Sequence, residues 1–175
     1  MKRLILEKLE KWKQSKRRKP LLLRGARQVG KTWVLKEFGN TFADGFVHID
    51  FDKQVEYRQF FEQTKDVKRI IDNLALETGK KITPKTLIIF DEIQACESAL
   101  NSLKYFYEDA PQYSVVGAGS LLGLKLASGF PVGKVEFLDM YPMTFTEFLF
   151  ANGDANLVEY LDSIEKVENI INHVK

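Results

Sequence analysis

Apolar residues along the chain alternate between helical spacing and short continuous runs. Ile5, Leu9 and Trp12 share one face of a segment over residues 3–14, which predicts a short amphipathic helix. The basic cluster Lys16–Lys19 and Pro20 close it. Leu21-Leu22-Leu23 is a short apolar run of the kind found in strands buried on both faces of a parallel sheet. Residues 25–30 read as a loop, and residues 31–38 as a helix closed by Gly39-Asn40. A second strand spans residues 46–51. Helical spacing returns at Val67, Ile70, Ile71 and Leu74 and stops at Gly79. A third strand covers residues 86–90, after the turn signal at Pro84. Cys96, Ala99, Leu100, Leu103, Phe106 and Tyr107 then predict a helix over 95–109. Strands at 113–117 and 135–138 flank a predicted helix at 121–127.

Strands alternating with helices require right-handed crossovers and a parallel sheet covered on both sides, an α/β three-layer architecture. Residues 1–150 form this core. In the remainder, 151–175, Leu157, Tyr160, Leu161, Ile164, Val167, Ile171 and Val174 make an apolar stripe with no stop signal. A helix this apolar needs a surface to pack on. It reads as the start of a helical lid, or as a linker to a C-terminal domain missing from this chain.

The loop Gly25-Ala26-Arg27-Gln28-Val29-Gly30-Lys31-Thr32 satisfies G-x-x-x-x-G-K-[ST] without a mismatch, between a buried strand and a helix. The glycines permit backbone angles that turn successive N–H groups round a phosphate. The helix that begins near Gly30 points its positive end at the anion. Lys31 brings a point charge to the β- and γ-phosphates, and Thr32 a hydroxyl for magnesium. A chance glycine turn is the competing explanation, and four fixed positions in the right context argue against it.

The third strand ends in Asp91-Glu92. Asp91 at the strand tip suits the magnesium shell, and Glu92 suits a general base that polarises water. By itself the pair reads equally well as the acidic first turn of the next helix. Beside the phosphate loop it reads as chemistry. An aspartate alone would suit a GTPase or small-molecule kinase, whereas the adjacent glutamate points to hydrolysis of ATP.

Other polar residues carry less. Ser120, after the strand tip Gly117-Ala118-Gly119, either contacts the γ-phosphate or attacking water or caps a helix, and the two roles are compatible. Asp50 and Asp52 read mainly as caps, and His48 as packed within its strand. Phe145 and Phe148 read as packing residues. Cys96 and His173 have no partners at ligand spacing, which leaves zinc and thiol chemistry unsupported. Lys16–Lys19 reads as a solvated loop.

Composition alters little. Over 175 residues the net charge is +2, too small by itself to argue for a polyanion partner, so nucleic acid stays an open question. A single cysteine and early charges exclude a disulfide framework and a signal peptide, and no apolar run approaches a membrane span. The expected location is the cytoplasm.

These residues together resemble the AAA-type ATPases of bacteria and archaea that carry an appended C-terminal domain of unknown function. The likeness runs through Leu21–Trp33, Ile88–Gln94, Gly117–Leu122, Pro131–Glu136 and Tyr141–Phe148. Its most specific parts are Ala-Arg-Gln-Val inside the loop and the later Pro-x-x-Phe-x-Glu-Phe. The resemblance implies a P-loop NTPase sheet of five parallel strands in the order 5-1-4-3-2. It implies nucleotide contacts along Gly25–Trp33, magnesium held by Thr32 and Asp91, and catalysis by Lys31 and Glu92 with Ser120 as first sensor. ATP and Mg2+ are the expected ligands, and oligomers are compatible with the family. No residue of the chain is assigned as an arginine finger.

The expected activity is hydrolysis of MgATP to drive a change in a partner or appended domain. The alternative is a switch or scaffold that binds ATP and hydrolyses it negligibly. A nucleic-acid motor is a third reading, but it needs a second motor domain that 175 residues do not contain.

Overall fold

The structure, a computed structural model, describes residues 3–120, 132–161, 163 and 164. Its centre is a sheet of five strands: β1 (Leu21–Arg24), β2 (Phe46–Asp50), β3 (Leu87–Asp91), β4 (Ser114–Gly119) and β5 (Glu136–Asp139). All neighbouring pairs are parallel and the order is β2-β3-β4-β1-β5, the predicted arrangement read from the opposite edge. The helices are α1 (Ile5–Gln14), α2 (Lys31–Gly39), α3 (Arg58–Glu62), α4 (Val67–Thr78), α5 (Glu97–Asp109) and α6 (Phe145–Asn152), with further helical residues at 155–161. The helix expected at 121–127 lies outside the described residues, as do His173 and the end of the C-terminal stripe.

Strand parity explains the layers. Successive side chains point to opposite faces, so Leu21, Leu23, Leu87, Ile89, Val116 and Ala118 pack with α1 and α2 in one core. Leu22, Ile88, Phe90 and Val115 pack with α3, α4 and α5 in the other. The central strands β3 and β4 are buried along their whole length, which is why they read as continuous apolar runs. In β2, Phe46, His48 and Asp50 are half-buried and alternate with buried Val47 and Ile49, the mark of an edge strand.

Parity also positions the chemistry. Asp91 shares the face of Leu87 and Ile89, the side on which α2 lies. Its neighbour Phe90 points the other way, against Phe51, Phe61 and Phe106 at ring-centre distances of 5.3–6.1 Å. This cluster fixes the end of β3, so Asp91 sits on a rigid element.

Two expectations about packing change. Phe145 is 64% exposed and Phe148 is 49% exposed, so neither packs against the core. The reason is the seating of α6. Thr144 and Glu147 form a capping box at its start, and the Glu147 carboxylate is drawn inward with Leu149. The aromatic rings then face outward. Leu157, Tyr160, Leu161 and Ile164 are also exposed, whereas Val158 is buried.

Candidate nucleotide site

The carboxyl ends of parallel strands, where open α/β sheets bind ligands, gather the predicted residues. β1 leads into the loop 25–30, β3 ends at Asp91, and β4 delivers Ser120. Next to β3, the end of β2 brings up His48 and Asp52. An open cleft of about 640 Å³ is lined by Arg27, Gln28, Lys31, Thr32, Trp33 and Glu92, with Asp52 beside them.

The loop is built differently from the simple expectation for its glycines. Its two left-handed residues are Gln28 (φ 64°) and Gly30 (φ 92°), so one of the special angles is carried by a residue with a side chain. Gly25 is required for another reason. A Cβ there would lie 2.3 Å from the carbonyl oxygen of Met140, which follows β5. The adjacent Met140 N–H donates to the Arg24 carbonyl at 2.7 Å, so β5 clamps the start of the loop.

Lys31 is buried at the first position of α2, where its Nζ donates to the carbonyls of Gly25 (2.9 Å) and Ala26 (2.8 Å). Burial pulls its pKa down, and the charges of Glu92 and Asp91 oppose that without cancelling it. The Thr32 hydroxyl donates to Asp91 Oδ2 at 2.6 Å. His48 Nε2 lies 3.1 Å from the same oxygen, and the Glu92 N–H donates to Asp91 Oδ1 at 3.1 Å. Burial would raise the Asp91 pKa. The bonds from His48 and Thr32, the His48 charge and the Glu92 amide outweigh it, and the carboxyl is held below its ordinary value.

Glu92 itself has φ 47°, a left-handed conformation that a non-glycine residue adopts at some cost. Its carboxylate accepts a hydrogen bond from the Gln94 amide. Ser120 Oγ is buried and has no hydrogen-bond partner among the described residues. A buried hydroxyl left in that condition beside a phosphate loop is one that a ligand can satisfy. The donor set fits a nucleotide with magnesium: backbone amides and a lysine for the phosphates, a hydroxyl and a carboxylate for the hard cation, and a free buried hydroxyl nearby.

The sequence reading of two residues needs revision. His48 contacts the aspartate of the site and is not simply packed. The signal was present in β2, where polar His48 and Asp50 alternate with apolar neighbours. Asp50 is a cap, accepting from the N–H groups of Asp52 and Lys53, while Asp52 lines the cleft.

Comparison with known proteins agrees with this geometry. The family profile described as AAA domain matches residues 17–149. More than half of the chain is covered, and the protein belongs to that family. No curated protein matches significantly. Among solved structures, the Walker-type ATPase PABY2304 of Pyrococcus abyssi superposes with a TM-score of 0.52 at 20% identity, over 83% of this chain and 55% of that one. AMPPCP-bound DnaA from Aquifex aeolicus gives a TM-score of 0.47 at 12% identity, over 88% and 55%. PCH-2 of C. elegans gives 0.39 at 15%, over 77% and 39%. The first of these carries the shared fold. The chain spans about half the length of the first two proteins. Among the described residues, no helix is long and apolar enough to cross a membrane.

Proposed function

We propose that this AAA-type domain hydrolyses MgATP to ADP and phosphate, and that turnover drives a conformational change in a partner or an appended domain. The observation that carries the reading is the contact of Thr32 with Asp91. It brings the end of the phosphate loop and the acidic strand tip, 59 residues apart, within 2.6 Å.

Each residue has a distinct role in this reading. The loop amides and Lys31 bind the phosphate chain, with Lys31 exchanging its two carbonyl partners for phosphate oxygens. Trp33 and Arg27 line the cleft where the rest of the nucleotide lies. Thr32 and Asp91 hold the magnesium shell. Magnesium, when bound, draws charge from the phosphate oxygens. Glu92 accepts a proton from the attacking water as the new oxygen–phosphorus bond forms and the bond to the ADP oxygen breaks. Ser120 donates its hydroxyl to the γ-phosphate or orients that water.

The hydrogen bond from Gln94 to Glu92 favours a second reading, in which ATP is held as a switch and hydrolysed negligibly. Phosphate release by wild type and Glu92→Gln, with ATP binding measured in parallel, separates the two. Hydrolysis predicts a rate that falls about 10²–10⁴-fold in Glu92→Gln while binding persists. Equal background rates in both proteins would leave the switch.

A further inference from the structure

The Pro142-x-x-Phe145-x-Glu147-Phe148 segment lies apart from the phosphate loop and the acidic strand tip, yet it holds a buried acid, Glu147. Glu147 is 4% exposed, and so is Arg3. They are 144 residues apart in sequence and pair at 3.1 Å. The Leu4 N–H donates to the same Glu147 oxygen at 2.8 Å. The rest of the Arg3 guanidinium reaches elsewhere. Nη2 donates to the Tyr141 carbonyl at 3.0 Å, and Nη1 donates to the Val29 carbonyl at 3.1 Å.

Val29 lies between the loop's two left-handed residues, Gln28 and Gly30. Its carbonyl and the Gly30 N–H belong to one peptide unit, and that unit is trans because the described chain contains no cis peptide. In a planar trans peptide the C=O and N–H point in opposite directions. Fixing the carbonyl on one side therefore fixes the direction of the N–H on the other. Gly30 leads directly into α2, where an amide aimed outward is a phosphate donor.

We infer that Arg3 is a positioning residue of the phosphate loop. It holds the Val29 carbonyl so that the Gly30 N–H is set for a phosphate, and Glu147 holds Arg3 in turn. The inference rests on the nucleotide-binding reading of the loop. The three bonds diverge from one planar guanidinium, a pattern that a lysine ammonium at the end of a flexible stem does not reproduce. The same guanidinium couples the Val29 peptide to the Tyr141 carbonyl, just before α6.

Titration of MgADP into wild type, Arg3→Lys and the double variant Arg3→Gln/Glu147→Gln tests this. Arg3→Lys keeps the charge beside Glu147 but loses the fork, and the double variant leaves no unpaired buried charge. Both are expected to bind MgADP about tenfold more weakly than wild type, the consequence of a donor that must be oriented on binding. A residue needed only for stability would give wild-type affinity in whichever variant folds, so recovery in either overturns the inference. Wild type alone supplies a further measurement. Amide hydrogen exchange over residues 141–152 is expected to slow when MgADP binds, and unchanged exchange overturns the link to α6. Wild type that fails to bind MgADP at all would instead refute the nucleotide reading.

Discussion

The phosphate-loop end of the molecule and the α6 end contrast in what they leave uncovered. At the loop, Lys31 rests on two carbonyls, Asp91 on Thr32 and His48, and Glu92 on Gln94. The charges are internally matched before any ligand arrives. Around α6 the charges are matched too, through Arg3 and Glu147, but the large apolar groups are not. Tyr141 is 72% exposed, Phe145 and Phe148 project outward, and Leu157 and Tyr160 follow them. One end is organised for a small anionic ligand. The other combines a fixed polar anchor with apolar surface of the kind used for macromolecular contact.

Substitutions sharpen the contrast. Glu147→Ala has the largest expected cost, about 3–5 kcal/mol in denaturant unfolding, because it leaves Arg3 as an uncompensated buried charge. Its pH dependence has a definite sign. Burial raises the Glu147 pKa, but the bonds from Thr144, Leu4 and Arg3 outweigh that and hold it below the ordinary value. A carboxylate with a depressed folded pKa contributes fully above its unfolded pKa of about 4.3. That contribution is lost as pH falls through the folded value. The stability gap between wild type and Glu147→Ala should therefore be constant near neutrality and shrink in acid below about pH 4. A gap that persists in acid would assign the cost to packing.

Lys31→Ala should act on the other end. Loss of the charged donor is expected to weaken ATP affinity about a hundredfold in calorimetric titration, equivalent to about 2.7 kcal/mol. Retained affinity would break the assignment of the loop. The smallest effect is expected from Phe145→Ser and Phe148→Ser. Both side chains are exposed, so unfolding free energy should change by about 0.5 kcal/mol or less. A loss of several kcal/mol would mean that these rings are covered in solution.

Most of the fold was legible in the sequence, because each strand announces its burial. Leu21–Leu23 reads as a strand buried on both faces, and it is; the strand expected at 86–90 is likewise buried along its length. Boundaries moved by a residue or two, as at β3, expected over 86–90 and found over Leu87–Asp91. Within the site, the fixed positions of the phosphate motif pointed to Lys31 and Thr32, and the acidic end of the third strand pointed to Asp91. Three features were hidden for identifiable reasons. The alternation in β2 marks His48 as polar, but its contact with Asp91 depends on the pairing of β2 with β3, which lies far along the chain. The need for glycine at position 25 comes from a carbonyl 115 residues later. Glu147 belonged to a recognisable motif, but its partner Arg3 is at the other end of the chain, and periodicity pointed only to the neighbouring phenylalanines.

The clamp of β5 on the start of the phosphate loop has a consequence for synthesis and folding. The loop residues emerge from the ribosome early, but the Met140 carbonyl against Gly25 and the carboxylate that holds Arg3 emerge more than a hundred residues later. Non-local pairings of this kind form slowly, since chain closure precedes the contacts that reward it. A nascent chain that ends before β5 carries the complete phosphate motif yet lacks the parts that hold it in shape. Competence to bind nucleotide should therefore appear late and abruptly, which spares the growing chain from engaging ATP before its sheet is closed.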